Sequence, residues 1–462
     1  MAGAKEIRCV GPSAQLPDRK ASVQRSVNLF LRQITGLGED KSVILASAPG
    51  LVERIDFNAA VRGTFSTAGG REFVVAGPAL YETTSGTAVS LGTITGSDWV
   101  SFDEGSSQLV IAAGTDGYVF NLNTNVFAQI TDTDWRGSYD VAELNGVFIF
   151  IALDQPDQFY LSAIDDASTL DALDFSSSDA QPDALVTVRV LKQEAYFFGA
   201  RSCEIWIFDG ASEFPLTRYN SNPIDVGIVG RRAVIKAADT LVFVGCTERG
   251  TGIVYIMNGH QPQRISTEAV EADLQASGVD LSLCSMWVHQ GVGFEHIGVN
   301  APGMNTTWVW DAATREWHEQ AELVSGAFEP MRIEQICSVG TVQHAIAGEK
   351  QYTLDFETYT LGGDVLTRER TWPHLVSPSM EPISYRGLEL ACTTGHGGNV
   401  TLEISNDGGF NFGPALLRSL GVTGRWMQRI RWLMLGQARD RVFRIRCTDA
   451  VPFNIHGAAV DV

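Results

Sequence analysis

The chain lacks most of the features that announce a function. Its seven cysteines (Cys9, Cys203, Cys246, Cys284, Cys337, Cys392 and Cys447) are scattered and never form a Cys-x-x-Cys pair. That pattern excludes the disulfide framework of a small secreted domain and a cysteine zinc site, and fits buried thiols in a reducing compartment. The longest apolar run, residues 147–153, is far short of a membrane span, and the first ten residues carry charge but no apolar h-region. A protein made and kept in a cytoplasm, with no membrane partner, is therefore expected. Basic residues are scarce, 34 Lys and Arg against 54 Asp and Glu, a net charge of −20. Such a balance argues against a surface that grips phosphates, which needs clustered Lys and Arg.

Catalytic signatures are missing as well. There is no Gly-x-Ser-x-Gly elbow, no Gly-x-x-x-x-Gly-Lys-Ser/Thr loop, no complete Gly-x-Gly-x-x-Gly and no His-Glu-x-x-His. The eight histidines (His260, His289, His296, His318, His344, His374, His396 and His456) show no metal-ligand spacing. Neither a catalytic residue, a metal nor a cofactor is expected.

What the chain does have is a repeated hairpin. In residues 306–319 a Trp-Val-Trp alternation at Trp308 to Trp310 runs into the turn-formers Asp311 to Arg315, and Trp317 begins a second short strand. The same form returns at residues 118–130, 204–214 and 253–265. A unit that recurs every few dozen residues cannot bury its apolar face alone and stacks on copies of itself.

From about residue 62, seven apolar strands follow at intervals of about 35 to 50 residues, the interval of four-stranded propeller blades. They begin at Glu72, Gln108, Val147, Ala195, Leu241, Gly293 and His344, and are expected as the inner strands, covered on both faces. After about residue 361 the repeat gives way to five or so alternating strands, enough for a small sandwich. The expected fold is all-β: a lead-in over 1–61, a six- or seven-bladed β-propeller over 62–361 and a C-terminal β-sandwich-like domain over 362–462. A pair of β-sandwiches is the alternative.

Charge is unevenly spread. No Lys or Arg occurs between Arg136 and Arg189, while Asp140, Glu143, Asp154, Asp157, Asp165, Asp166, Asp171, Asp174, Asp179 and Asp183 all fall inside. Carboxylates without counter-charge are solvated or face a basic partner. The eight from Asp154 to Asp183 are the candidate channel or docking surface. Near the C-terminus Arg425, Arg429, Arg431, Arg439, Arg441, Arg444 and Arg446 crowd together with Trp426 and Trp432 interleaved. They are a candidate contact face, or arginines on the wet side of half-buried strands.

Ser405-Asn-Asp-Gly-Gly-Phe-Asn-Phe412 resembles the Asp-box of sialidase-type propellers. The motif is a turn device, Asp407 accepting backbone N–H bonds while Gly408 and Gly409 supply positive φ. A single copy is weak support for a glycosidase.

One collinear set of landmarks is more specific. Val27-Asn-Leu-Phe30, Ala48-Pro-Gly50, Gln181-Pro-Asp183, Phe198-Gly-Ala-Arg-Ser-Cys-Glu-Ile-Trp206, Gly227-Ile-Val-Gly230, Ile265-Ser-Thr-Glu-Ala-Val-Glu271 and the arginine-rich end occur in order. Together they resemble the packaged-DNA stabilisation proteins of short-tailed bacteriophages. The resemblance implies a virion structural protein of the tail, a hub or nozzle assembled in the host bacterial cytoplasm. It further implies a homo-oligomer, a hexameric ring below the portal and its adaptor ring. Such a ring closes the head, docks tailspikes, fibres or a needle, and lets DNA pass its lumen without specific binding. No catalytic residue carries over. The alternatives are a non-viral propeller scaffold, which would more often carry regular repeat signatures, and a propeller glycosidase.

Overall fold

Strands that are apolar on both faces need cover on both sides, and this chain supplies it by stacking sheets around an axis. The computed structural model describes residues 5–35, 41–178, 181, 183–211, 214–219, 222–291, 293–377, 379 and 381–462. Among these described residues seven antiparallel sheets follow one another in chain order. The first is Val61–Ser66, Glu72–Ala76, Ala79–Glu82 and Val89–Thr93, running outward from the axis. Leading strands touch in turn from Val61–Ser66 to Ser101–Glu104, Val141–Leu144 and Leu185–Leu191. Glu194–Gly199 and Gly227–Ile228 join the fourth sheet to the fifth, and the circuit continues through Val234–Ala237, Ser285–Gly291 and Gln335–Val339 back to Val61–Ser66. The architecture is a closed β-propeller.

The apolar strands expected to be innermost are instead the second strand of every sheet. Glu72–Ala76 and Val147–Ile151 are buried along their whole length. A leading strand lies inside each of them. These leading strands escape a sequence reading because they line the axis and mix polar with apolar residues, as in Ser101–Glu104, half-buried throughout.

The seventh sheet is completed from far away in the sequence. Gly50–Asp56, preceding the first sheet, pairs antiparallel with Lys350–Asp355 as its fourth strand, with the short Thr360–Leu361 and Asp364–Val365 beyond it. The ring is thereby clasped by segments from both ends of the propeller sequence.

Beyond it, two sheets face each other across a core that includes Leu388, Leu390, Phe443, Ile445, Phe453, Ile455 and Trp432. Burying each such side chain contributes about 1.5–3 kcal/mol. One sheet runs Leu29–Thr35, Lys41–Ser47, Ile455–Asp461, Gly387–Cys392 and Ile430–Leu433. The other continues the sixth propeller sheet. Its strand Trp317–Val324 pairs parallel with Arg25–Val27, which pairs with Arg368–Thr371, Asp440–Cys447, Asn399–Ser405 and Leu416–Ser419 in succession. Propeller and sandwich thus share one hydrogen-bonded sheet.

Two buried polar features lie at this seam. The Arg370 guanidinium is fully enclosed and donates to the carbonyls of Cys9 at 2.7 Å, Pro12 at 3.0 Å and Arg25 at 3.2 Å, and to Ser26 Oγ at 2.9 Å. It tethers the N-terminal segment, and burial lowers its pKa to about 10. The second feature is a histidine cluster. His289 and His296 stack at 4.8 Å, and His296 meets His318 at 5.7 Å and Phe30 at 4.8 Å, all three histidines buried. Among the described residues, both ring nitrogens of His296 and Nε2 of His318 meet no hydrogen-bond partner. Burial pushes all three below the ordinary histidine pKa, and Asp311 opposes the shift at His296.

Folded-state pKa values below the unfolded 6.5 mean that the unfolded chain takes up protons that the native state refuses. Stability is full above pH 6.5 and falls as pH drops below it. We expect the unfolding free energy from urea titration to decline from pH 6.5 to 5, and His318→Leu to flatten that decline by up to about 1.4 kcal/mol per pH unit. An unchanged slope in the variant would show that His318 is not held neutral.

Candidate docking surfaces

The ring closure is built around a buried carboxylate. Glu72 is wholly enclosed, and its Oε1 accepts from Cys337 Sγ at 2.9 Å, His344 Nδ1 at 2.8 Å and Gln351 Nε2 at 2.8 Å. Its Oε2 accepts from Thr83 Oγ1 at 2.7 Å and Arg54 at 2.8 Å. Arg54 comes from the borrowed strand Gly50–Asp56, Glu72 from the first sheet, and Cys337, His344 and Gln351 from the seventh. Burial raises the Glu72 pKa, but His344, Cys337 and the other donors outweigh it and hold the carboxyl at about 2. Glu72, Cys337 and His344 have the donor types of a metal site, with ligand atoms within 4.8 Å of one another. Here the donors already saturate the carboxylate and Arg54 supplies the compensating charge, so the cluster works as an ionic clasp. None of this was visible in the sequence, where Arg54 and Gln351 lie 297 residues apart.

The propeller's own axis is narrow. Arg232 lies over the Trp99 ring at 3.7 Å and Arg231 over Tyr139 at 4.0 Å, so side chains preceding the second and third sheets meet arginines of the fifth. A passage spanned by single side chains admits no duplex.

Six of the eight candidate aspartates lie elsewhere, on the third sheet. Asp165, Asp166, Asp171 and Asp174 sit on or just before its outermost strand, Asp166–Ser177. Asp165, which accepts from Ser106 Oγ at 2.8 Å, and Asp171 are exposed, and Asp174 is half-buried. Burial, with Asp171 adding to it, raises the Asp174 pKa. Asp154 and Asp157 occupy an exposed loop at one end of the same sheet, where Asp154 pairs with Arg136 at 2.8 Å. Two members are structural. Asp166 accepts from Ser168, Thr169 and Gln108, which against the effect of burial keep its pKa near 2. Asp183 accepts from Arg201 N at 2.7 Å and from Ser202 N and Oγ, fixing a turn of the fourth sheet. Asp179 lies outside the described residues.

The arginines divide more sharply. Arg425, Arg429, Arg431 and Arg439 are exposed, the middle two sharing Glu389 at 2.6 Å and 3.8 Å. Arg441 is no surface residue. It is buried over Tyr385 at 4.2 Å and donates to the Leu435 carbonyl at 2.7 Å. Arg444 and Arg446 are half-buried in a ladder across the shared sheet, each 2.6 Å from its carboxylate, Glu403 and Glu369. Alternation alone did not separate these groups, because it gives the face of a strand and not what covers that face.

Around the exposed arginines stand Trp426, which the sequence reading interleaved with them, and two methionines that it passed over. Trp426 is 59%, Met427 93% and Met434 92% exposed. The Asp-box resemblance resolves as a sandwich turn: Asp407 accepts from Asn411 N at 3.0 Å and Ser405 Oγ at 2.7 Å, and its pKa falls to about 2.

Comparison with known proteins gives two collinear matches. Residues 26–350 match the family model described as bacteriophage P22 Gp10, beta-propeller, and residues 369–462 the model described as bacteriophage P22 Gp10, beta-sandwich. No curated protein matches. Among solved structures, the extracellular domain of the putative one component system BT4673 from B. thetaiotaomicron is similar at 10% identity and a TM-score of 0.45. That alignment covers 67% of this chain and 40% of that one, so the chain spans under half of that structure's length. The N-terminal domain of Nup159 is similar at 9% identity and a TM-score of 0.41, over 71% of this chain and 99% of that one.

Proposed function

The chain belongs to the bacteriophage P22 Gp10 family, whose members stabilise packaged DNA, and from this premise we propose that it is a non-enzymatic hub or nozzle of the virion tail. In this reading copies of the chain form a ring, hexameric in keeping with the resemblance, beneath the portal and its adaptor. The ring closes the channel and carries tailspikes, fibres or a needle. The observation that carries the reading is the pair of family matches, propeller then sandwich, across nearly the whole chain. Two features of the molecule support it. The shared sheet makes propeller and sandwich one body, suited to bearing load from a pressurised head. The propeller axis is spanned by Arg231 and Arg232, so any DNA path runs between copies, where a net charge of −20 per copy repels the phosphate backbone.

The test is native mass, alone and after mixing with the cognate portal–adaptor assembly. A defined number of copies joining that assembly is the expected result. A chain that ignores the assembly at every concentration would sink the reading.

A further inference from the structure

Residues 408–439 contain five arginines, Arg418, Arg425, Arg429, Arg431 and Arg439, and not one carboxylate, in a chain of net charge −20. Their outward side is apolar as well as basic. Along Ile430–Leu433 the strand alternates, Ile430 and Trp432 entering the core while Arg431 and Leu433 face out. Val422, Trp426, Met427 and Met434 extend the exposed apolar surface. Trp426 is also held in place, its ring 4.9 Å from His396 and its carbonyl accepting from Thr394 Oγ1 at 2.7 Å. A fixed, exposed Trp among Met and Arg is the composition of an interface centre, not of ordinary surface.

The opposite combination occurs on the third propeller sheet. Residues 137–188 contain no Lys or Arg. There the outer strand Asp166–Ser177 and the turn before it expose Leu173 at 81% and Ile164 at 68%, with Phe175 beside them, among Asp165, Asp171 and Asp174. Both surfaces pair exposed apolar side chains with an excess of one charge sign, Glu389 standing beside Arg429 and Arg431 on the first and Arg136 over the Phe175 ring on the second, and the excess signs are opposite. They also lie far apart on the molecule. The sandwich grows from the sixth sheet, and in a ring of seven the third sheet is as distant from the sixth as the circuit allows.

We propose that the arginine and tryptophan face of the sandwich docks on the acidic outer edge of the third sheet of a second copy of this chain. Trp426, Met427 and Met434 cover Leu173 and Ile164, while Arg425 and Arg431 meet Asp171 and Asp174. Two different patches at opposite ends of one molecule make a head-to-tail contact, which generates a ring when the rotation closes. The inference rests on the tail reading and supplies the subunit contact that reading requires. Complementary charge fixes partner and register, and the buried apolar centre supplies the affinity.

Charge reversal tests it on the full chain. One variant carries Arg425→Glu and Arg431→Glu, a second carries Asp171→Arg and Asp174→Arg, and a third carries all four substitutions. Native mass is measured for each alone, for the first two mixed, and for each with the cognate portal–adaptor assembly; unchanged urea midpoints establish folding. Each single-face variant should associate at least tenfold more weakly than the wild type. The four-fold variant and the equimolar mixture should both recover, because reversed faces again meet opposite partners. Single-face variants that assemble as well as the wild type, or folded four-fold variants that do not recover, overturn the pairing, as does a wild type that never meets a second copy. If wild type and variants all join the portal–adaptor assembly equally, the pairing fails while the tail reading stands. If the wild type ignores that assembly, the tail reading itself fails.

Discussion

Arg370→Met is expected to destabilise the protein by roughly 3–5 kcal/mol and to free its N-terminal segment. The wild-type guanidinium is fully buried with no carboxylate paired to it among the described residues, and is held by the carbonyls of Cys9, Pro12 and Arg25 together with Ser26 Oγ. Methionine fills most of the space but donates to none of these acceptors, and hydrogen bonds to a charged donor are worth about 1.5–3 kcal/mol each. Arg25–Val27 is also the strand that joins the sixth propeller sheet to Arg368–Thr371 of the sandwich. Loss of the tether therefore loosens the weld between the two halves. The measurements are the urea midpoint and limited proteolysis within residues 9–26. A variant with unchanged midpoint and no new cleavage would show that the segment is held by its strand pairing alone.

Glu72→Ala is expected to cost a similar amount, roughly 3–5 kcal/mol, because it removes one partner of a buried ion pair and leaves the other. Arg54 would then face Gln351 and the Thr83 carbonyl without a counter-charge, and His344 and Cys337 would lose their acceptor. The loss falls where the borrowed strand and the first sheet meet, so the ring should open there first. Hydrogen exchange would report it as loss of protection in Gly50–Asp56 and Lys350–Asp355. The same group has a pH signature. Its folded pKa of about 2 lies below the ordinary 4.5, so its stabilisation is present above pH 4.5 and disappears as pH falls towards 2. Glu72→Gln should remove that part of the acid sensitivity. Equal acid profiles for the variant and the wild type would mean that the clasp contributes nothing ionic.

Acid acts on the molecule in two separate windows. The histidine cluster responds from pH 6.5 downward and the clasp from 4.5 downward, at different places in the fold. Mild acidification should loosen the seam before it loosens the ring closure.

Much of the architecture was legible in the chain. Apolar runs such as Val147–Ile151 and the hairpins around Trp308 and Tyr118 are local patterns, and a local pattern sets strand or turn wherever the residue ends up. Repetition of the pattern implied stacking, and the break near residue 361 marked a change of architecture. The collinear motifs led to the family. The charge runs were visible too, as compositional facts.

Partnership was not legible. Nothing local in Gly50–Asp56 says that it completes a sheet some three hundred residues on, or that Arg54 will meet Glu72 there. Arg431 and Arg441 look alike in sequence, yet one is exposed beside Glu389 and the other is enclosed over Tyr385. The acidic stretch looked like a single surface, but folding spends Asp166 and Asp183 on turns and leaves Asp171 and Leu173 facing outward. Backbone period and charge are properties of neighbours along the chain, so the sequence by itself determined an all-β repeat with two opposed charge runs. Which strand closes the ring, which arginine is buried and which apolar side chain is left uncovered depend on contacts between segments hundreds of residues apart, and those only the tertiary structure decided.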